Sequence, residues 1–429
     1  MPNHLSRKPT NQLPISLNLL SSSAVHFVRT GCGIMLFLQV LISAVLLVIA
    51  ALRNRKKHEH SFPHEDFDEV RLGENCLKLY SYGGSLYDDM LTAIDSAQES
   101  IYWETYIWKD DKAGWEFKKH LTKKAEEGVD VYIIFDHFGN LVVPRKFKSF
   151  HPCIHVLEYQ PVKSIWHIFD PRYYSLDHRK ILVIDGHTSF IGGYNIGSRY
   201  ENSWRDTHLR ICGPASAELA QSFTDFWNRF CPHGKNNCIT RHYQRKFDPF
   251  IVLHGNDAQR LTFPIRDMYI EAISKAEHTI LLSNAYFIPD HILLNALKDA
   301  AGRGINVQIL VPWHSNHILA DWISHSYFSE CLEAGIHVLG YRHTMLHAKT
   351  CTIDSQWSTV GTANLDRLSS IGNYELNVEI YSAEFAHQME LLFACDTTNR
   401  FELTLEQWSH RSWYTKLSER ILKPLRFVM

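Results

Sequence analysis

Hydrophobic positions fall into two regimes. The first is a continuous apolar run, GCGIMLFLQVLISAVLLVIAAL from Gly31 to Leu52, interrupted among polar side chains only by Gln39 and Ser43. At ~1.5 Å rise per residue such a run crosses a hydrocarbon core of ~30 Å. It is apolar on every face and begins too far from the N-terminus for a signal-peptide core. The pattern predicts one transmembrane helix at 31–52, with residues 1–30 as a tail and 53–66 as a basic juxtamembrane linker. Arg53, Arg55, Lys56 and Lys57 follow the run, whereas Arg29 alone lies close on its other side. The excess of cations places the C-terminal part in the cytoplasm, as a single-pass protein of the cell membrane.

The second regime alternates helix-like and strand-like periods, and it does so twice. Leu91 to Asp136 reads helix (LTAIDSAQES), strand (IYWETYIW), helix (WEFKKHLTKKAEEG), strand (VDVYIIFD). Residues 268–311 repeat that order as MYIEAISKAEHT, ILLSNAYFI, HILLNALKDAAGRG and INVQILV. Gly128 and Gly304 fall at matching helix ends, where a left-handed residue suits the turn. Strands alternating with helices of this length imply an α/β fold with largely parallel sheets, divided into halves at 67–240 and 241–429.

The later part of each half carries the chemistry. HRKILVIDGHTSFIGGYNIGSRYENSWRD (178–206) aligns without a gap on HAKTCTIDSQWSTVGTANLDRLSSIGNYE (347–375). His178 matches His347, Lys180 matches Lys349, Asp185 matches Asp354, and Asn195 matches Asn364. Asp206 and Glu375 close the two copies. Duplicated core strands would account for the apolar positions, but not for the joint recurrence of His, Lys, Asn and a carboxylate.

These residue types suit phosphodiester transfer. A phosphodiester anion repels nucleophiles, so its non-bridging oxygens must be neutralised by fixed donors. Lys180 and Lys349 supply charge, and Asn195 and Asn364 supply N–H groups that orient the phosphate. One imidazole attacks phosphorus while the other protonates the departing alcohol. Asp206 and Glu375 fit the acceptors that hold the far nitrogen of each His, and whether each serves its own copy or the opposite one is open. On a strand His178 and Lys180 project to one side, and Asp185, at an odd offset, faces away. Asp185 and Asp354 therefore position the fold within the catalytic motif. The chemistry needs no metal or cofactor, and ligand patterns such as H-E-x-x-H or C-x2-C do not occur.

Composition narrows the substrate. With 44 Lys and Arg against 46 Asp and Glu, the formal charge is −2, which argues against a nucleic-acid partner. Nine scattered cysteines without metal or disulfide spacing read as reduced thiols. The apolar run favours a phospholipid substrate and a membrane partner. The C-terminal TKLSERILKPLRFVM either lies on an anionic bilayer or packs on its own domain. The aromatic segments at 106–108, 164–169 and 321–328 read by default as core.

The paired HRKILVID…GGYN and HAKTCTID…GTAN segments resemble the phospholipase D superfamily. ETYIWKDDKAG, RYYSLDHRKILVIDG, NAYFIPD and GTANLD are similar to its cardiolipin synthase branch, over about residues 70–400. The resemblance implies two tandem α-β-α sandwich repeats sharing one active site without a metal. It also implies phosphatidyl transfer between two phosphatidylglycerol molecules through a phosphohistidine, with His178 as nucleophile and His347 as acid and base. Transfer to water by a membrane-tethered phospholipase or nuclease, and a lipid-binding scaffold without activity, are the competing readings.

Overall fold

A computed structural model describes residues 61–162, 174–231, 238–243 and 248–422, together with pieces of helix between 29 and 48. The expected span at 31–52 falls partly outside the described residues. No helix among the described residues is long and apolar enough to cross a membrane. Residues His58–Met429 form one compact unit.

That unit holds two eight-stranded sheets, one on each side of the expected boundary at 241. The first contains β1 (Val70–Leu72), β2 (Asn75–Tyr80), β3 (Ser100–Thr105), β4 (Asp130–Asp136), β5 (Ile154–Tyr159), β6 (Ile181–Ile184) and β7 (Thr188–Gly192). After β8 (Trp204–Arg205), which stands apart, β9 (His208–Cys212) completes it in the order β1-β2-β9-β7-β6-β3-β4-β5. The second contains β10 (Ile251–Asn256), β11 (Thr279–Asn284), β12 (Asn306–Pro312) and β13 (His337–Tyr341). Then come the separate β14 (Met345–Leu346) and, in the sheet again, β15 (Lys349–Ile353), β16 (Trp357–Gly361), β17 (Glu375–Tyr381) and β18 (Arg400–Leu403). Its order is β10-β17-β16-β15-β11-β12-β13-β18, so seven neighbouring strands repeat the first sheet position for position.

The sheets are mixed, which corrects the expectation of largely parallel ones. Among the described strands of these two sheets, only β3–β4, β4–β5 and their counterparts β11–β12 and β12–β13 pair in parallel. The cause is the motif itself: β6 returns as β7, and β15 as β16, through tight turns, and a short turn can join only antiparallel strands. Asp185 and Gly186 have φ of 53° and 67°, and Asp354 and Ser355 have 51° and 54°. Positive φ at both central residues matches the twist of the flanking strands.

Helix ends also repeat. Asp111 caps Lys112–Glu126 by accepting from Gly114 N, and Asp290 caps His291–Gly302 by accepting from Ile292 N and Leu293 N. Gly128 and Gly304 follow those helices at φ 92° and 89°. On β6, Ile181 and Val183 join the core between the sheets, while Leu182 and Ile184 join the outer core of the first half. The inner core holds Phe223 and Trp227 of helix Ser216–Phe230 beside Phe385 and Met389 of helix Ala383–Thr397. One apolar core thus crosses from half to half.

The terminal helix Trp413–Leu422 packs against helix Ile318–Glu333, and its buried Glu419 pairs with Arg411 at 2.8 Å. Ile323, Tyr327 and Phe328 of the latter helix are buried, and so is Trp108. The aromatic segment 164–169 and residues 423–429 lie outside the described residues.

Candidate active site

Each motif histidine sits where the chain of one half runs beside the chain of the other. His178 N donates to Tyr374 O at 3.1 Å, and Tyr374 N donates to Leu176 O at 2.9 Å. In the mirror arrangement β14 pairs in parallel with β8, and His347 N donates to Arg205 O at 2.7 Å. These strips place each histidine beside the carboxylate that ends the opposite copy. His178 Nδ1 lies 2.9 and 3.0 Å from the two oxygens of Glu375, and His347 Nδ1 lies 2.6 Å from Asp206 Oδ2. The pairing left open by the sequence is crossed. Neither half holds a complete histidine–carboxylate pair.

The two-residue spacing from His to Lys has a visible consequence. Both residues lie at or just before the strand, in extended chain, and each ammonium folds back on the carbonyl two residues earlier. Lys180 Nζ donates to His178 O at 2.7 Å, and Lys349 Nζ donates to His347 O. Arg179, between them, points to the other face. It pairs with Glu104 and with Asp177 at 3.2 Å and stacks 4.0 Å from the Phe226 ring.

Burial governs the charges. It pushes His178 well below the ordinary imidazole range, aided by Lys180 and Lys349, and lowers His347 to about 3, aided by Lys349. Burial thus disfavours the imidazolium at both rings in the free enzyme, and Nδ1 of each ring faces a carboxylate. Burial also lowers Lys180 to about 7 and Lys349 to about 8. The carboxylates part company. Burial raises Glu375 to about 7, whereas at Asp206 the pull of Lys349 and His347 outweighs burial and holds the group below its usual value. Lys180 feels Lys349, Glu375 and Asp206, so the halves form one electrostatic unit.

Asp185 and Asp354 stand outside this cluster. Asp185 accepts from the backbone N–H of Gln98, Glu99 and Ser100 at 2.8–2.9 Å. Asp354 accepts from Glu277, His278 and Thr279 at 2.7–2.8 Å. Each ties the motif hairpin to the start of the neighbouring strand, in keeping with a positioning role. Asn195 turns its carbonyl oxygen to Ile107 N at 3.1 Å, which leaves its NH2 end as a donor. Asn364, also buried, has no partner for its carbonyl oxygen.

Several supporting residues escaped the sequence reading. Tyr106 meets the His178 ring edge-on at 4.8 Å, and Trp204 lies 5.3 Å from the His347 ring. Thr362 donates to Glu375 Oε2 at 2.5 Å. Arg205, whose carbonyl holds His347, forms a buried two-point pair with Asp396 at 2.7 Å. A Cβ on Gly193 would lie 2.1 Å from Asp206 Oδ1, so the second glycine of GGYN makes room for the carboxylate. That glycine and the threonine of GTAN occupy matching positions, and their difference was the available signal.

The family described as "Cardiolipin synthase, PLD-like domain" matches residues 90–227 and 269–396. A cardiolipin synthase of Clostridium perfringens is 33% identical over 383 residues, covering 81% of this chain and 76% of its own length. The major cardiolipin synthase ClsA of Bacillus subtilis is 32% identical over 368 residues, covering 82% and 76%. The solved phosphatidylserine synthase of Haemophilus influenzae shares the fold, with a TM-score of 0.62 at 14% identity, over 86% of this chain and 95% of that one.

Proposed function

The chain belongs to the cardiolipin synthase branch of the phospholipase D superfamily, and from that premise we propose that it makes cardiolipin by phosphatidyl transfer from one phosphatidylglycerol to another. His178 Nε2 attacks phosphorus, and the P–O bond to the glycerol headgroup breaks. His347, protonated on Nε2 once the phosphodiester anion is bound, delivers that proton so that glycerol leaves, and the phosphatidyl group stays on His178. The hydroxyl of a second phosphatidylglycerol then gives its proton to His347 and attacks phosphorus. The P–N bond breaks, His178 is restored and diphosphatidylglycerol departs.

Lys180, Lys349 and the amides of Asn195 and Asn364 bind the non-bridging oxygens throughout. The observation that carries this reading is the crossed pairing of His178 with Glu375 and His347 with Asp206. The role assignment draws support from the ionised Asp206, because a carboxylate anion favours the imidazolium that a general acid must be before it gives up its proton.

We further place residues 31–52 across the cell membrane with the catalytic unit on the cytoplasmic side. A reporter fused after Met429 is expected to be active only in the cytoplasm, and activity on the outer side overturns that orientation. The transfer itself is tested with the purified full chain and headgroup-labelled phosphatidylglycerol. Cardiolipin and free glycerol should form in equal amounts, with and without a chelator. Phosphatidic acid as the main product would instead make water the acceptor.

A further inference from the structure

We propose that the turn at residues 138–146 is a membrane-docking element that seats an anionic bilayer surface beside His178. It deepens the phospholipid reading above and rests on it for the identity of the surface. The turn follows β4 and carries Phe138, Leu141 and Val142 at 60%, 56% and 83% exposure. Three large apolar side chains within five residues are costly to hold in water, and such clusters mark contact surfaces. Arg145 and Lys146 follow at once and are exposed. Glu158, on the neighbouring strand β5, is already engaged by His137 at 2.7 Å and Lys148 at 2.9 Å. An apolar tip with free cations at its base fits the boundary between acyl chains and anionic headgroups.

The tip is built into the wall of the site. Asp136 accepts from Gly139 N at 2.9 Å with one oxygen and from Asp177 N at 3.0 Å with the other. Asn140 donates to Tyr106 O at 2.9 Å and accepts from Trp108 N at 2.9 Å. Asp177 precedes His178, and the Tyr106 ring packs against it. The turn is therefore fastened to both the backbone and the ring wall of His178. The matching position after β12 differs: Trp313 packs on Phe401 at 4.7 Å and stacks on His325 at 4.9 Å, and helix Ile318–Glu333 follows. Only the half that carries His178 offers a bare apolar tip here.

The test uses the full chain reconstituted with vesicles of phosphatidylglycerol and phosphatidylcholine, with the photoreactive residue benzoylphenylalanine at 142 or, as a control, in place of the exposed Ile292. Irradiation should attach lipid at 142 and not at 292. Lipid at neither position, or protein alone at 142, overturns the proposal. In parallel, Leu141→Asp with Val142→Asp should lower kcat/KM on vesicles about tenfold. Turnover of short-chain phosphatidylglycerol dispersed as monomers should stay within about twofold, which also reports folding. Equal losses on both substrates, or none on vesicles, count against docking. A parent chain that transfers nothing on either substrate yet still labels lipid at 142 would sink the transferase reading and leave docking standing.

Discussion

Asp206, lent by the first half, meets His347 at 2.6 Å beside Lys349 and stays ionised. Glu375, lent by the second half, meets His178 at 2.9 Å, but burial raises it to about 7. The surroundings explain the contrast. Asp206 accepts a backbone hydrogen bond from Thr207 N at 2.8 Å and lies against the bare Cα of Gly193. Glu375, buried to the same degree as Asp206, has Thr362 as its hydroxyl donor, at the position matching Gly193. A nearly symmetric sequence thus gives two imidazoles different partners, one a fixed anion and the other close to titration. Division of labour between two identical side chains follows from such a difference.

The widest test removes the imidazoles. His178→Ala and His347→Ala should each cut kcat by about 10⁴, and the double variant should be little worse, because parts of one unit are not additive. Half-activity in each single variant would mean two independent sites. The roles separate with a p-nitrophenyl phosphodiester, whose leaving group needs no proton. His347→Ala should then still trap a covalent adduct on His178, and label on His347 would reverse the assignment.

Next in size are the carboxylates. Asp206→Asn should cost about 10³-fold in kcat and Glu375→Gln about tenfold, since only Asp206 is a settled anion whose loss strands an imidazolium. Equal losses would erase the asymmetry argued above.

How far the sequence revealed this arrangement depends on periodicity. The repeated helix–strand order and the Gly128 and Gly304 helix ends follow from local spacing, and both were legible. His178, Lys180, His347 and Lys349 were legible because the motif recurs. The crossed pairing was not, since nothing local says that Leu176–His178 will run beside Tyr374. Asp396, which fixes Arg205 from 191 residues away, carries no motif at all. The parallel-sheet expectation failed because helix–strand alternation describes β3, β4 and β5 well but says nothing of strands joined by tight turns.

A smaller effect is expected from pH. In the free enzyme kcat/KM should fall as pH drops through about 7, where Glu375 takes up a proton, and fall as pH rises from about 7 to about 8, where Lys180 and then Lys349 lose theirs. Glu375→Gln should remove the acid limb and move the alkaline one to lower pH, because the Glu375 charge supports both ammonium groups. Lys349→Arg, whose cation persists at high pH, should leave an alkaline limb set by Lys180 alone. Asp206→Asn should lower the whole profile, keep the acid limb and move the alkaline one to lower pH, because the Asp206 charge also supports Lys349. Loss of the acid limb in Asp206→Asn and not in Glu375→Gln would exchange the two carboxylates.

The smallest effect on turnover should come from the part of the motif in which the halves agree. Asp185 and Asp354 each gather three backbone N–H groups in the same geometry, far from the imidazoles in role. Replacing either by Asn keeps one acceptor oxygen but turns an NH2 group toward the N–H of Gln98 or Glu277, where two donors then face each other. The loss of a charge-assisted bond and the new conflict should destabilise by roughly 1–3 kcal/mol. Melting temperature should fall by similar amounts for Asp185→Asn and Asp354→Asn, while kcat/KM per folded molecule stays within a few-fold. Because Asp185 ties β6 to β3 and Asp354 ties β15 to β11, matching losses would mark the hairpin anchors as symmetric where the site is not. A collapse of kcat without a change in melting temperature would place these carboxylates in the chemistry instead of beneath it.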